Sequence, residues 1–201
     1  MFLPTACPAC GARGSAPCPS CRSQLRPAPA LPPPAGTDGC VAAFAYEGVG
    51  REVVARLKYR NARASLPFLA ARVAALVEPG TVDVVTWAPT AAARRRQRGF
   101  DQAQLLAAAV ARRLGLPCRR LLRRRPGAPA QTGASLAQRR KGPVFDPRRG
   151  VGSRVLVVDD VVTSGATVAA AARALRAGGA TVVIVAAAAR TPGRRTYTRC
   201  Q

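Results

Sequence analysis

Residues 154–180 read RVLVVDDVVTSGATVAAAARALRAGGA, and this stretch decides the fold. Val155, Leu156, Val157 and Val158 form a short unbroken apolar run, the pattern of a central parallel strand over 154–158 buried on both faces. A helix is expected over 167–177 and another buried strand over 181–188. Asp159 and Asp160 then stand at the carboxyl end of the first strand, where open α/β sheets bind ligands. Thr163, Ser164, Gly165, Ala166 and Thr167 lead from there into the helix. Gly165 lets the backbone approach a ligand closely, and the free N–H groups of a first helical turn point at an anion. Thr163, Ser164 and Thr167 add hydroxyl donors. The loop is therefore expected to hold a phosphate, and the two carboxylates to accept hydrogen bonds from vicinal ribose hydroxyls. An ordinary βα turn with Ser/Thr capping is the plainer alternative. It does not account for paired carboxylates in a chain with only nine acidic residues. The spacing also differs from GxxxxGK and from GxGxxG.

Working outward, alternating strands and helices predict an α/β fold with a mostly parallel sheet covered on both faces. A strand is expected over 40–46, a short helix or extended turn over 52–59, and a β-branched strand over 82–87, stopped by Pro89. Ser65 is expected to cap a helix reaching Val77, with Leu69, Val73, Leu76 and Val77 on one face. Asp101 is expected to start a further helix, with Gln104 completing an approximate capping box. Three units follow: a cysteine-rich segment 1–26, a proline-rich linker 27–36, and a main domain 37–201.

The chain has 201 residues, 48% of them hydrophobic, enough for one compact core. No apolar run is long enough to span a bilayer, and no basic stretch precedes an apolar one as in a signal peptide, so a cytoplasmic protein without membrane insertion is expected. The net charge is +23, and only Lys58 and Lys141 among the 32 basic residues are lysines. A polyanion partner explains that balance. So does GC-rich codon usage, since Arg, Ala, Gly and Pro are all abundant. Histidine is absent, which excludes Ser-His-Asp and Cys-His catalysis and any His-ligated metal.

CPACGARGSAPCPSC presents Cys7, Cys10, Cys18 and Cys21 as two CxxC turns. Four thiolates at this spacing match a structural zinc knuckle; a redox dithiol needs only one such turn. With four Cys ligands no coordination position stays open for catalysis. Cys40, Cys118 and Cys200 are isolated.

VLVVDDVVTSGAT resembles the signature of the type I phosphoribosyltransferases, which bind 5-phosphoribosyl-1-pyrophosphate (PRPP). The wider pattern resembles one branch, the ComF family (competence protein F, GntX-like). It rests on the paired cysteines, LKYR at 57–60, RRRQRGFDQAQLLA at 94–107, and Gln131 followed by Arg139, Arg140 and Lys141. The resemblance covers nearly the whole chain and implies the type I phosphoribosyltransferase fold. It implies that Asp159 and Asp160 hold the ribose hydroxyls and that Thr163 through Thr167 hold the 5-phosphate. Ala88, Pro89 and Thr90 would lie near the pyrophosphate. It further implies an enzyme that binds PRPP with magnesium and releases pyrophosphate, and a role in DNA uptake during natural transformation. Single-stranded DNA and the uptake machinery are then candidate partners.

Residues 94–98 are expected as a loop over the sheet's ligand edge, where Arg95, Arg96 and Arg98 clamp pyrophosphate or nucleic-acid phosphates. A solvated run is the alternative. The Arg123–Arg125 run can extend the patch, with Tyr59 or Phe100 stacking on a base. Any catalysis is expected to be electrostatic and without a protein nucleophile, with Asp159, Asp160 and Arg98 as its residues. Asp159 or Asp160 can assist as a base, but carboxylates holding hydroxyls near a metal are expected to stay ionised and weakly basic.

Overall fold

The computed structural model describes residues 5–58, 63–126 and 142–192. Tyr59, Arg60, Gln131, Arg139, Arg140, Lys141 and the end of the basic tail lie outside them.

The elements follow in the order α1 (Pro19–Arg22), β1 (Gly39–Ala45), α2 (Gly48–Ala55), α3 (Leu66–Ala74), β2 (Val84–Trp87), α4 (Ala92–Arg98), α5 (Gln102–Leu114), β3 (Leu122–Arg124), β4 (Phe145–Pro147), β5 (Arg154–Val162), α6 (Ala166–Ala177) and β6 (Val182–Arg190). Four strands form one parallel sheet in the order β1-β6-β5-β2. β5 and β6 are central, which explains their apolar runs: Val155, Leu156, Val157 and Val158 are fully buried. Burying each such side chain contributes about 1.5–3 kcal/mol. One face packs against α2, α3 and α5 through Val53, Leu69, Val73, Leu106 and Val110. The other packs against α6 and the β3–β4 ribbon through Val168, Leu175, Leu122 and Phe145. This is the expected α/β architecture with helices on both faces.

The outer edge of β2 is covered by the chain leaving α5. Val85 donates to the Pro117 carbonyl (2.9 Å), and Arg119 donates to the Val85 carbonyl (2.9 Å). No helix among the described residues is long and apolar enough to cross a membrane.

Three local expectations change. The helix after Ser65 ends at Ala74, and the N–H groups of Leu76 and Val77 tighten onto carbonyls three residues back, those of Val73 (3.2 Å) and Ala74 (3.1 Å). Val77 stays buried, but Leu76 turns outward and is 38% exposed. Ser65 has helical angles itself, after a 3₁₀ turn over Arg63–Ser65, and makes no side-chain cap. The arginines at 94–98 form helix α4 rather than a loop, because Ala, Arg and Gln favour helix. Gly99, at φ +79°, ends that helix in the left-handed conformation.

The cysteine-rich segment lies against the domain. Arg22 stacks over the Phe68 ring (5.1 Å), Ala45 donates to the Arg26 carbonyl (2.9 Å), and Val49 packs against the cysteine cluster. The linker is also held down. Arg190 donates to the carbonyls of Leu31 (3.0 Å) and Pro32 (2.6 Å), and the Thr37 hydroxyl to that of Pro34 (2.6 Å).

Candidate functional site

β5 runs four residues beyond the expected end, to Val162, and stays in register with β6. Asp159 and Asp160 therefore belong to the strand's last residues, and both are buried. The Asp160 N–H donates to Asp159 Oδ1 (2.8 Å), and the Val161 N–H to Asp160 Oδ1 (3.0 Å). Asp160 Oδ2 accepts from Gln102 Nε2 (3.4 Å). Arg98 Nη1 in turn donates to Gln102 Oε1 (3.0 Å), so a polar relay joins Arg98 to Asp160. Burial, then the charge of Asp160, push the Asp159 carboxyl well above the ordinary carboxylate range. Asp159 therefore binds a proton more tightly than an ordinary carboxylate does.

Thr163, Ser164 and Gly165 turn the chain into α6. Gly165 has φ +75°, which L side chains avoid, and is buried. A Cβ there would come within 3.0 Å of Pro34 of the linker. Among the described residues, the N–H groups of Thr163, Ser164 and Gly165 have no protein acceptor. Only a 3.5 Å contact from Ala166 N–H to Ser164 Oγ touches the start of α6. The exposed hydroxyls of Thr163 and Ser164 and the half-buried Thr167 surround this opening. Such a loop can receive a phosphate on several donors at once.

The turn after β2 lies across the same sheet edge. Ala88 and Pro89 are buried, and Asp101 fixes Thr90 by accepting from its N–H (2.9 Å) and its hydroxyl (3.1 Å). The same carboxylate caps α5 through the N–H groups of Ala103 (3.1 Å) and Gln104 (3.4 Å). The cap half of the expected capping box is thus made, while Gln104 lines a cleft of ≈490 Å³. That cleft also takes in Pro89, Thr90, Arg95, Arg96, Arg120 and Arg124. Helix α4 therefore separates the expected arginine clamp: Arg98 reaches towards Asp160, while Arg95 and Arg96 face the cleft. Phe100 is buried beneath the Arg63 guanidinium (4.9 Å).

Sequence reasoning singled out Arg124 within the Arg123–Arg125 run but missed Gln102 and Arg120, and the contacts of Pro34 and Arg190. Gln102 lies inside the RRRQRGFDQAQ run, where its spacing of four from Arg98 was a usable signal. The others depend on distant parts of the chain.

Cys7, Cys10, Cys18 and Cys21 bring their four sulfurs within 4.8 Å of one another. Cys18 donates its N–H to Cys7 Sγ (3.4 Å), and Cys21 lies on α1. Burial raises the Cys7 thiol, but the backbone N–H groups of Cys10, Cys18 and Ala9 outweigh it and bring it down to about 6. Burial and then the neighbouring thiols push Cys21 up to about 12. Four converging sulfurs, one of them readily ionised, form a donor set that a tetrahedral thiophilic metal fits. Cys40 and Cys118 stand apart from the cluster, their thiols pushed up by burial.

Residues 101–198 match the family model described as "Phosphoribosyl transferase domain". The match takes in Asp101, the ribbon, and all of β5, the loop, α6 and β6. No curated protein matches the chain. Among solved structures it is similar to the allosteric regulatory enzyme of purine biosynthesis (TM-score 0.47, 23% identity, 67% of this chain and 30% of that one). It is also similar to glutamine phosphoribosylpyrophosphate (PRPP) amidotransferase from B. subtilis complexed with ADP and GMP (0.46, 25%, 66% and 30%). The chain thus spans 30% of the length of either. The matched model and the α/β architecture agree with the fold class expected from the sequence, a phosphoribosyltransferase-type sheet with a cysteine cluster ahead of it.

Proposed function

We propose that this protein binds PRPP with magnesium and transfers its phosphoribosyl group to an acceptor. The observation that carries the reading is the order Asp159, Asp160, then a loop of unpartnered N–H groups at the start of α6. In this reading Thr163 through Thr167 hold the 5-phosphate, and Asp159 and Asp160 accept from the ribose hydroxyls. The acceptor's lone pair attacks ribose C1, the bond from C1 to the pyrophosphate oxygen breaks, and its electron pair leaves with pyrophosphate. The acceptor's proton passes to solvent. No protein nucleophile takes part. The chain's work is to orient C1 and to stabilise charge on the departing group, through Thr90, the buried Ala88–Pro89 turn and Arg98. Arg95 and Arg96 extend positive charge behind that turn. Carboxylate oxygens suit a hard divalent cation, and Asp159 and Asp160 would stand beside magnesium, which supplies neutralisation of pyrophosphate charge. In the N-terminal module Cys7, Cys10, Cys18 and Cys21 would hold one zinc, which supplies folding rather than chemistry.

A second reading is a non-catalytic module that senses PRPP and binds single-stranded DNA, in keeping with the ComF resemblance and a cytoplasmic role in DNA uptake. Supporting it, the ≈490 Å³ cleft and a second one of ≈630 Å³ share Arg120, and together gather Arg95, Arg96, Arg119, Arg148 and Arg149. None of these has an ion-pair partner among the described residues. Titration with PRPP, ribose 5-phosphate and single-stranded DNA, each with and without magnesium, tests both. PRPP binding with pyrophosphate release in the presence of an acceptor supports the enzyme. PRPP and DNA binding without turnover supports the module, and no PRPP binding overturns both.

A further inference from the structure

Arg190 ends β6 and is only 7% exposed. Of the five N–H donors on a guanidinium, the linker takes two, through the Leu31 and Pro32 carbonyls. Nε is buried and has no hydrogen-bond partner among the described residues. No carboxylate pairs with Arg190 among the described residues. A buried cation without a counter-charge is costly, so its retention points to an anion that the ligand-free protein lacks.

The position of Arg190 says which anion. β5 and β6 pair with Val162 opposite Arg190, and Thr163, the first loop residue, follows Val162 directly. Thr191 N–H donates to the Val162 carbonyl (3.1 Å), which fixes this end of the two strands. Cys40, which packs with the core on the α6 side of the sheet, lies within electrostatic reach of both Arg190 and Asp159. The guanidinium is thus on the face where the loop enters α6. The linker closes the arrangement. Its carbonyls hold Arg190, and two residues on, Pro34 lies against Gly165.

We propose that Arg190 is a phosphate-binding residue of the phosphoribosyl site: it supplies the counter-charge for the 5-phosphate, and linker residues 31–34 are the wall that holds it there. The inference rests on reading Thr163 through Thr167 as the 5-phosphate loop. The free Nε–H and the remaining Nη hydrogens can meet two phosphate oxygens without releasing the linker carbonyls. The cation complements the loop's neutral donors, which carry only partial charge.

The full-length chain and its Arg190→Lys and Arg190→Gln variants, first compared for thermal stability, provide the test by titration with ribose 5-phosphate and, separately, with inorganic pyrophosphate. Gln keeps a donor for the linker carbonyls but loses the charge; Lys keeps the charge. The expected result is at least about tenfold weaker ribose 5-phosphate binding in Arg190→Gln and a much smaller loss in Arg190→Lys, with pyrophosphate affinity unchanged in both. Equal losses in the two variants, or equal losses for the two ligands, would mean that Arg190 only pins the linker and would overturn the proposal. In case Arg190→Gln does not fold, the wild-type chain carries a second readout. The arginine Nε–H resonance that Arg190→Lys removes should shift on adding ribose 5-phosphate, and a static resonance overturns the proposal. A wild-type chain that binds no ribose 5-phosphate overturns the loop reading itself, whatever the variants do.

Discussion

Asp159 shows how a single residue trades stability for binding. Its carboxyl is buried beside Asp160, and both the burial and that neighbour raise its proton affinity. The unfolded chain holds Asp at an ordinary value, so the folded state binds the proton more tightly. The associated stability is fully present below the unfolded value, about pH 4, and is lost as pH rises through the raised folded value. Asp159→Asn removes this penalty. The ligand-free variant should melt higher than wild type at pH 8, by about 2–4 °C for each kcal/mol relieved, and the gap should close towards pH 4. Calorimetric melts across that range check it, and an equal gap at both ends would count against the buried, crowded carboxyl. The same variant should bind PRPP more weakly, by about 1–3 kcal/mol for each hydrogen bond to the ribose that it no longer makes. The carboxylate pair was legible in the sequence because paired acids stand out in so basic a chain. The raised proton affinity of Asp159 was not, because that depends on how deeply the strand end is buried.

At the scale of elements, α4 is the lesson. Residues 94–98 carry a charge run that reads as a phosphate-binding loop with a solvated run as the plainer alternative, and nothing within the run shows where each side chain goes. The helix resolves this by rotation: successive residues point about 100° apart, so Arg98 meets Gln102 while Arg95 and Arg96 line the cleft. The central strands were plain in the sequence, since burial on both faces demands an apolar run. The β3–β4 ribbon was not, since its strands are three residues each and pair across a long separation in sequence. Division of labour on α4 is testable. Arg98→Ala should lower turnover far more than Cys118→Ala, because it breaks the relay to Asp160. Arg95→Ala with Arg96→Ala should instead flatten the salt dependence of DNA binding, by about one unit of slope for each phosphate that is no longer neutralised. Steady-state rates and binding isotherms at several salt concentrations separate the two, and a reversed pattern would undo the assignment.

At the scale of the whole molecule, the cysteine cluster serves as an anchor for the N-terminal end. Residues 5–26 are too few to build a core, and their compactness rests on four sulfurs within 4.8 Å and on packing against Val49 and Phe68. Elemental analysis of the purified protein should find one zinc per chain, absent from Cys18→Ser, and chelation should leave the segment open to protease while the sheet persists. Metal-free protein with an intact segment would remove zinc from the account. The strand order carries a further consequence, for synthesis. Among the described residues β1 pairs with β6 alone, and Gly39 must wait for Ile184 before its ladder can form. On the ribosome, β6 must emerge before the sheet can close, and until then β1 has no neighbouring strand. A nascent chain stalled before residue 182 lacks the strand that joins β1 to β5, so the sheet cannot close until β6 has been made.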